Sequence, residues 1–118
     1  MPHKKVKPVI PAKKLEQYSE LLSGFPDIEV KGAEMPYTSH NGNMFSFIKE
    51  DGELALRLSE EDRTKFIVKF KTQLTVRHST ILKEYVDVPE TLFAKTKDLR
   101  KYMIMSIAYV KSLKSKKK

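Results

Sequence analysis

The chain reads as an α+β fold: two layers, an antiparallel sheet of about five strands covered by helices. Three observations predict it. Residues 41–63, NGNMFSFIKEDGELALRLSEEDR, read as turn, strand, turn, strand and helix start. Amphipathic helical spacing occupies both ends of the chain. The resulting element order is helix, three strands, helix, two strands, helix.

Residues 1–10 hold Pro2 and Pro8 and little to bury, so a loose arm is expected there. Pro11 opens a helix well, because the N–H it lacks is one of the orphan donors of a first turn. Leu15, Tyr18, Leu22 and Phe25 follow at helical spacing, with Leu21 alongside, and Lys13, Lys14, Glu16, Gln17 and Glu20 face the other way. Gly24 suits the helix end and Pro26 stops it. Ile28 and Val30 alternate, which predicts a first strand over residues 27–31. Tyr37-Thr38-Ser39 has β propensity and leads into Asn41-Gly42, so it should pair with residues 43–49.

Asn41-Gly42 and Asp51-Gly52 are strong signals for tight hairpin turns, since type I′ turns need positive φ at both central residues. Strand 43–49 is apolar on both faces for most of its length, which fits a central, covered strand. Phe45 and Phe47 fall on one face of it, with Lys49 next. Leu54, Leu56 and Leu58 occupy one face of strand 53–58, so a one-residue slip would expose all three. Ser59 supplies an N-cap oxygen, and Glu60, Glu61 and Asp62 place negative charge in the first turn of a helix over about 60–70. That helix should bury Phe66, Ile67 and Phe70. Leu74 and Val76 suggest another strand within the ambiguous stretch 71–82. Residues 84–88 read as a short strand ended by Pro89, and 90–95 as a connection or short helical turn. Thr96 is an N-cap candidate for a last helix that runs through about Leu113.

The last helix is apolar on two sides. At about 100° per residue, Leu99, Met103, Ile107 and Val110 form one stripe, which should face the core. Tyr102, Met105 and Tyr109 lie on a largely opposite arc. Such a helix wants two burial partners. One is its own sheet. The other is a second helix of the same domain, a second copy of the chain, or a protein partner, since Met and Tyr are common at such surfaces.

The 118 residues make one domain by length, spanning 1–118, and suffice to bury a real core. No segment is long and apolar enough to span a bilayer, and the N-terminus lacks the apolar run of a signal peptide. Without cysteine there is no disulfide, thiol nucleophile or Cys-based zinc site. A cytoplasmic location is the default expectation. The net charge of +8 sits at the two ends. Lys4, Lys5, Lys7, Lys13 and Lys14 lie in residues 3–14 with no acid, and Lys111, Lys114, Lys116, Lys117 and Lys118 close the chain with none. Removing those ten lysines from the 23 basic residues leaves 13 against 15 acidic ones. The middle of the chain is therefore slightly acidic. Residues 1–10 and 114–118 are expected to be flexible basic ends that serve solubility. A second reading makes the protein a nucleic-acid-binding accessory that contacts phosphates through Lys4, Lys5, Lys114, Lys116, Lys117 and Lys118, with affinity that falls steeply with salt. No recognition helix or RNP-like motif points to sequence readout.

Signals for catalysis are thin. His3, His40 and His78 are far apart and none belongs to a pattern that places two ligands on one helix face. Glu60, Glu61 and Asp62 are explained by the helix dipole. Ser39, Ser46 and Ser79 lack a nucleophile-elbow or Ser-x-x-Lys context. The four glycines form no phosphate-cradling loop. No enzyme, cofactor or metal is expected.

Asn41-Gly42 followed by Met44-Phe45, the Leu54-x-Leu56-Arg57-Leu58 strand running into Ser59-Glu60-Glu61-Asp62-Arg63, and Lys83-Glu84-Tyr85-Val86-x-Val88-Pro89 ahead of LRKYMIMSIAYVKSLK carry a family likeness. Over about residues 12–114 the chain resembles the N-terminal domain of the TfoX/Sxy competence regulators. These are signatures of turns, strands and caps, not of catalysis. Two places depart from the family pattern. Gly32-Ala33-Glu34, with Met35-Pro36 after it, stands where members commonly carry Met-Phe-Gly. His78-Ser79-Thr80 stands where many have a glycine-containing turn. The resemblance implies a secretion-chaperone-like topology, a stand-alone member without the regulators' C-terminal helical domain, and a non-enzymatic role in transcription regulation or protein–protein interaction, with a homodimer or another protein as partner and no membrane.

Overall fold

A computed structural model describes residues 11–32, 36–40, 42–49, 52–77 and 79–113. The arm 1–10, the departure at 33–35, the turn residues Asn41, Asp51 and His78, and Lys114, Lys116, Lys117 and Lys118 lie outside that description. The fold is α+β, in the order expected: α1 (Ala12–Leu22), β1 (Tyr37–His40), β2 (Asn43–Ile48), β3 (Leu54–Arg57), α2 (Glu60–Phe70), β4 (Leu74–Arg77), β5 (Thr80–Val88), α3 (Glu90–Phe93) and α4 (Thr96–Lys111). The five strands form one antiparallel sheet in the order β1-β2-β3-β5-β4.

Local chemistry accounts for most boundaries. Pro11 caps α1, as its missing N–H allows, and the helix closes on Ser23, one residue before the expected Gly24. Ser59 caps α2 by accepting the Asp62 amide at 3.3 Å, with Glu60, Glu61 and Asp62 in the first turn. Gly42 and Gly52 both take the left-handed region, φ 83° and 91°, in the two hairpin connections. α4 begins one residue earlier than Thr96 as a cap would require: Lys95 is the cap, and Thr96 is the first helical residue and is buried.

One row of the sheet sets the core. Thr38, Ser46, Leu56, Val86 and Leu74 stand side by side across all five strands. Leu54, Leu56 and Leu58 are fully buried in the same cluster as Tyr18 and Leu21 of α1, Phe66 of α2 and Leu99, Met103 and Val110 of α4. Each such leucine contributes about 2 kcal/mol relative to exposure. The expected core stripe of α4 therefore faces the sheet, with Ile107 partly buried beside it.

Three expectations need correction. Residues 27–31 are not a strand. Hydrogen bonds from Phe25 N–H to Leu22 and from Ile28 N–H to Phe25 turn the chain there, and only Lys31 reaches the sheet, exchanging backbone bonds with Tyr37. Two alternating apolar residues did not suffice without a neighbouring strand. Phe45 and Phe47 also have different surroundings. Thr38 pairs with Ser46 but Ser39 with Met44, so Phe45 is the extra residue of a β-bulge and joins the main core. Phe47 packs instead edge-on to Tyr85, 5.5 Å between centroids, with the Arg77 guanidinium 5.7 Å from its ring. Finally, β5 is longer than residues 84–88. Leu74 pairs with Val86 and Thr75 with Leu82, so Lys83, Glu84 and Tyr85 bulge relative to β4 while Tyr85 keeps Arg57 of β3 as partner.

Candidate functional site

The structure brings Tyr102, Met105 and Tyr109 onto the side of α4 that faces α2 and the end of β3, but into three different settings. Tyr102 is only 8 % exposed. Phe66 and Phe70, one turn apart on α2, meet its ring edge-on at 5.1 and 5.5 Å. Edge-to-face aromatic contacts of this kind add about 1 kcal/mol each beyond burial. The Tyr102 hydroxyl accepts from Lys69 Nζ at 3.3 Å, and Lys101 Nζ lies 5.2 Å from the ring. The second burial partner of α4 is thus a helix of its own domain, at least at Tyr102.

Met105 is half-buried and lines a groove between α2 and α4 of about 320 Å³. Phe66, Tyr102 and Met105 supply its apolar surface; Lys65, Lys69 and Lys101 stand with Asp62 around it. The three lysines are exposed. On the same two helices, though not lining the groove, Val68 of α2 is 72 % exposed and Ile104 of α4 is 58 % exposed.

Tyr109 belongs to a polar cluster at the other end of α4. Arg57 lies between two rings, 5.9 Å from Tyr85 and 5.8 Å from Tyr109. Its Nε donates to Glu84 at 2.7 Å and its Nη1 to the Met44 carbonyl at 3.2 Å, which also accepts from the Tyr85 hydroxyl at 2.8 Å. Burial alone would raise the Glu84 pKa, but the bond and charge of Arg57, aided by Tyr109 and Arg63, hold it below the ordinary carboxylate value. Burial pushes the Tyr85 hydroxyl up to about 12 against the pull of Arg57. Ser106 ties α4 to the same place by donating to the Arg57 carbonyl. The cluster is satisfied internally and offers no nucleophile–base pair.

A second groove, about 420 Å³, runs beside α1 between Leu15, Tyr18, Leu22, Val30 and Pro36. Its walls are largely apolar, and Tyr18 directs its hydroxyl away to Ser46 at 2.7 Å. No three His, Asp or Glu side chains among the described residues are grouped to hold a metal ion. His40 lies on edge strand β1. Among the described residues no helix is long and apolar enough to cross a membrane. Sequence reasoning missed the grouping of Lys65, Lys69 and Lys101, and the central place of Arg57. The signals were there: Lys65 and Lys69 are four apart on one helix face, and Arg57 is the single cation inside the leucine-rich β3 pattern. No family model matches this chain, and no curated protein or solved structure matches it either.

Proposed function

We propose that this protein is a non-enzymatic regulatory or protein-interaction module, related to the N-terminal domain of the TfoX/Sxy competence regulators, that engages its partner through the α2/α4 surface. The observation that carries this reading is the groove on Met105: an apolar floor, half-buried and accessible, between two helices whose outward positions include Val68 and Ile104. An open groove with an apolar floor marks a contact surface. The Arg57 cluster, by contrast, uses its polar groups on one another and serves to fix α4 on the sheet.

Site-specific photo-crosslinking tests the reading. A photoreactive side chain at Met105 should give discrete protein adducts in an extract of the source cells, and one at Ile81, on the β4–β5 hairpin, should not. Adducts the size of two copies identify self-association; other sizes identify a different partner. Equal labelling from both positions, or none from Met105, overturns the α2/α4 assignment.

A further inference from the structure

We infer that the α2/α4 groove receives an acidic amphipathic helix from a different protein; this inference rests on the interaction reading above. Charge complementarity selects the partner. Lys65, Lys69 and Lys101 surround the groove against one carboxylate, Asp62, although the middle of the chain as a whole is slightly acidic. The lysines are not committed elsewhere by strong bonds. Lys65 meets Glu61 at 3.5 Å with both side chains largely exposed, a pair of little energetic weight, and Lys69 gives one long bond to the Tyr102 hydroxyl. The floor between them is apolar and runs between two helices, the form that accepts apolar residues at i, i+3, i+4 and i+7 of a docked helix. Carboxylates on the flanks of such a helix would reach the lysines, and its apolar residues would cover Met105 and the edge of Phe66.

Two other occupants fit less well. A second copy docked on the same face about a two-fold axis sets three lysines against three lysines. A nucleic acid has phosphates for the lysines but nothing for the apolar floor. Its bases also cannot stack on Tyr102, whose ring is taken by Phe66 and Phe70.

Fluorescence anisotropy of the full chain with labelled designed peptides tests this. The probe is a helix of about five turns with leucines at i, i+3, i+4 and i+7 and glutamates elsewhere. One control exchanges glutamate for lysine, one scrambles the leucines, and one is a random DNA duplex. The acidic peptide should bind at least about tenfold tighter than either peptide control and weaken as salt rises from about 50 to about 300 mM. Lys65→Glu with Lys69→Glu should lower its affinity at least about tenfold, and so should Met105→Glu, each with unchanged circular dichroism. Lys101→Ala, which removes charge without adding any, should weaken it severalfold and guards against a fold effect. The inference falls if the acidic peptide does not saturate, if the variants bind it like the parent, or if the duplex displaces it from the groove. Discrete adducts at Met105 with no acidic-peptide binding would remove the partner class and leave the interaction reading standing.

Discussion

The hydroxyls of Tyr18 on α1 and Ser46 on β2 lie 2.7 Å apart in the core, 28 positions apart in sequence. Ser46 also meets Thr38 Oγ1 on β1 at 2.5 Å, so one short side chain joins a helix and two strands. All three residues are buried. Ser46→Ala removes the group that both neighbours share and should cost about 1–3 kcal/mol; Tyr18→Phe should cost about 1 kcal/mol. Urea unfolding at neutral pH gives the ranking.

The same tyrosine predicts the alkaline limit. Burial pushes the Tyr18 hydroxyl up to about 12, opposed by bonds to Ser46 and Thr38. A hydroxyl in the unfolded chain titrates near about 10. Stability from this group is full below the unfolded value and is lost as pH rises through the folded one, because the unfolded state releases its proton first. The loss approaches about 3 kcal/mol for Tyr18. Tyr85, also pushed up to about 12, adds in the same direction. From about pH 9, one unit below the unfolded value, to about pH 12, the folded value, the loss of stability with pH should be steep for the parent and flatter for Tyr18→Phe.

Glu84 governs the acid side with the opposite sign. Its pKa is held low, so its contribution is full above the unfolded carboxylate value and is lost as pH falls through the folded one. Its side chain is 40 % exposed, so solvent screening limits the effect: Glu84→Gln should cost less than about 1 kcal/mol at neutral pH and progressively less as pH falls from neutral through the folded value of the carboxyl. Arg57→Met should cost more, about 2 kcal/mol, because it also withdraws a donor from the Met44 carbonyl inside the sheet. Thermal melts of both variants across that pH range separate the two effects.

Tyr102 and Met105 should respond differently to mutation although both lie on the same side of α4. Tyr102→Ala opens a void between Phe66 and Phe70 and should cost about 3–4 kcal/mol. Tyr102→Glu places a carboxylate there and should unfold the chain. Met105→Glu puts its charge in an open groove among lysines and should stay within about 1 kcal/mol of the parent. Circular dichroism melts decide this, and they show which substitution is fit for binding experiments.

How far the sequence was legible follows from what each signal measures. Leu54, Leu56 and Leu58 specify a face and a register because only one alignment buries all three, and Ser59 with three acids specifies a helix start through local bonds and charge. The bulges at Phe45 and at Lys83, Glu84 and Tyr85 escaped because counting by twos assumes an unbroken ladder, and an extra residue leaves no mark in composition. The second arc of α4 announced that it is covered, but not that α2 covers Tyr102. Hydrophobic periodicity says which side is dry, while the identity of the neighbour depends on the path of the chain. The lysines around the groove come from two helices that only the folded sheet sets side by side.

Ser79 shows where the sequence leaves stability unrealised. It sits at φ 64° in the connection between β4 and β5, and Lys71, the C-cap of α2, at φ 53°. Both carry a Cβ in the left-handed region, which costs about 1 kcal/mol that glycine avoids. The greater freedom of glycine in the unfolded chain takes back part of the gain. Ser79→Gly and Lys71→Gly should therefore each stabilise by about 0.5 kcal/mol and together raise Tm by about 3–5 °C. Gly52→Ala should do the reverse. Its φ is 91°, and an added Cβ would meet Lys14 Cγ at 3.1 Å and Pro11 Cδ at 3.2 Å, at the start of α1. Strain and crowding then act together, for a loss above about 1 kcal/mol. Melting curves in which the two serine and lysine replacements rise while the alanine falls would establish that backbone conformation, not turn composition, sets stability at these three bends.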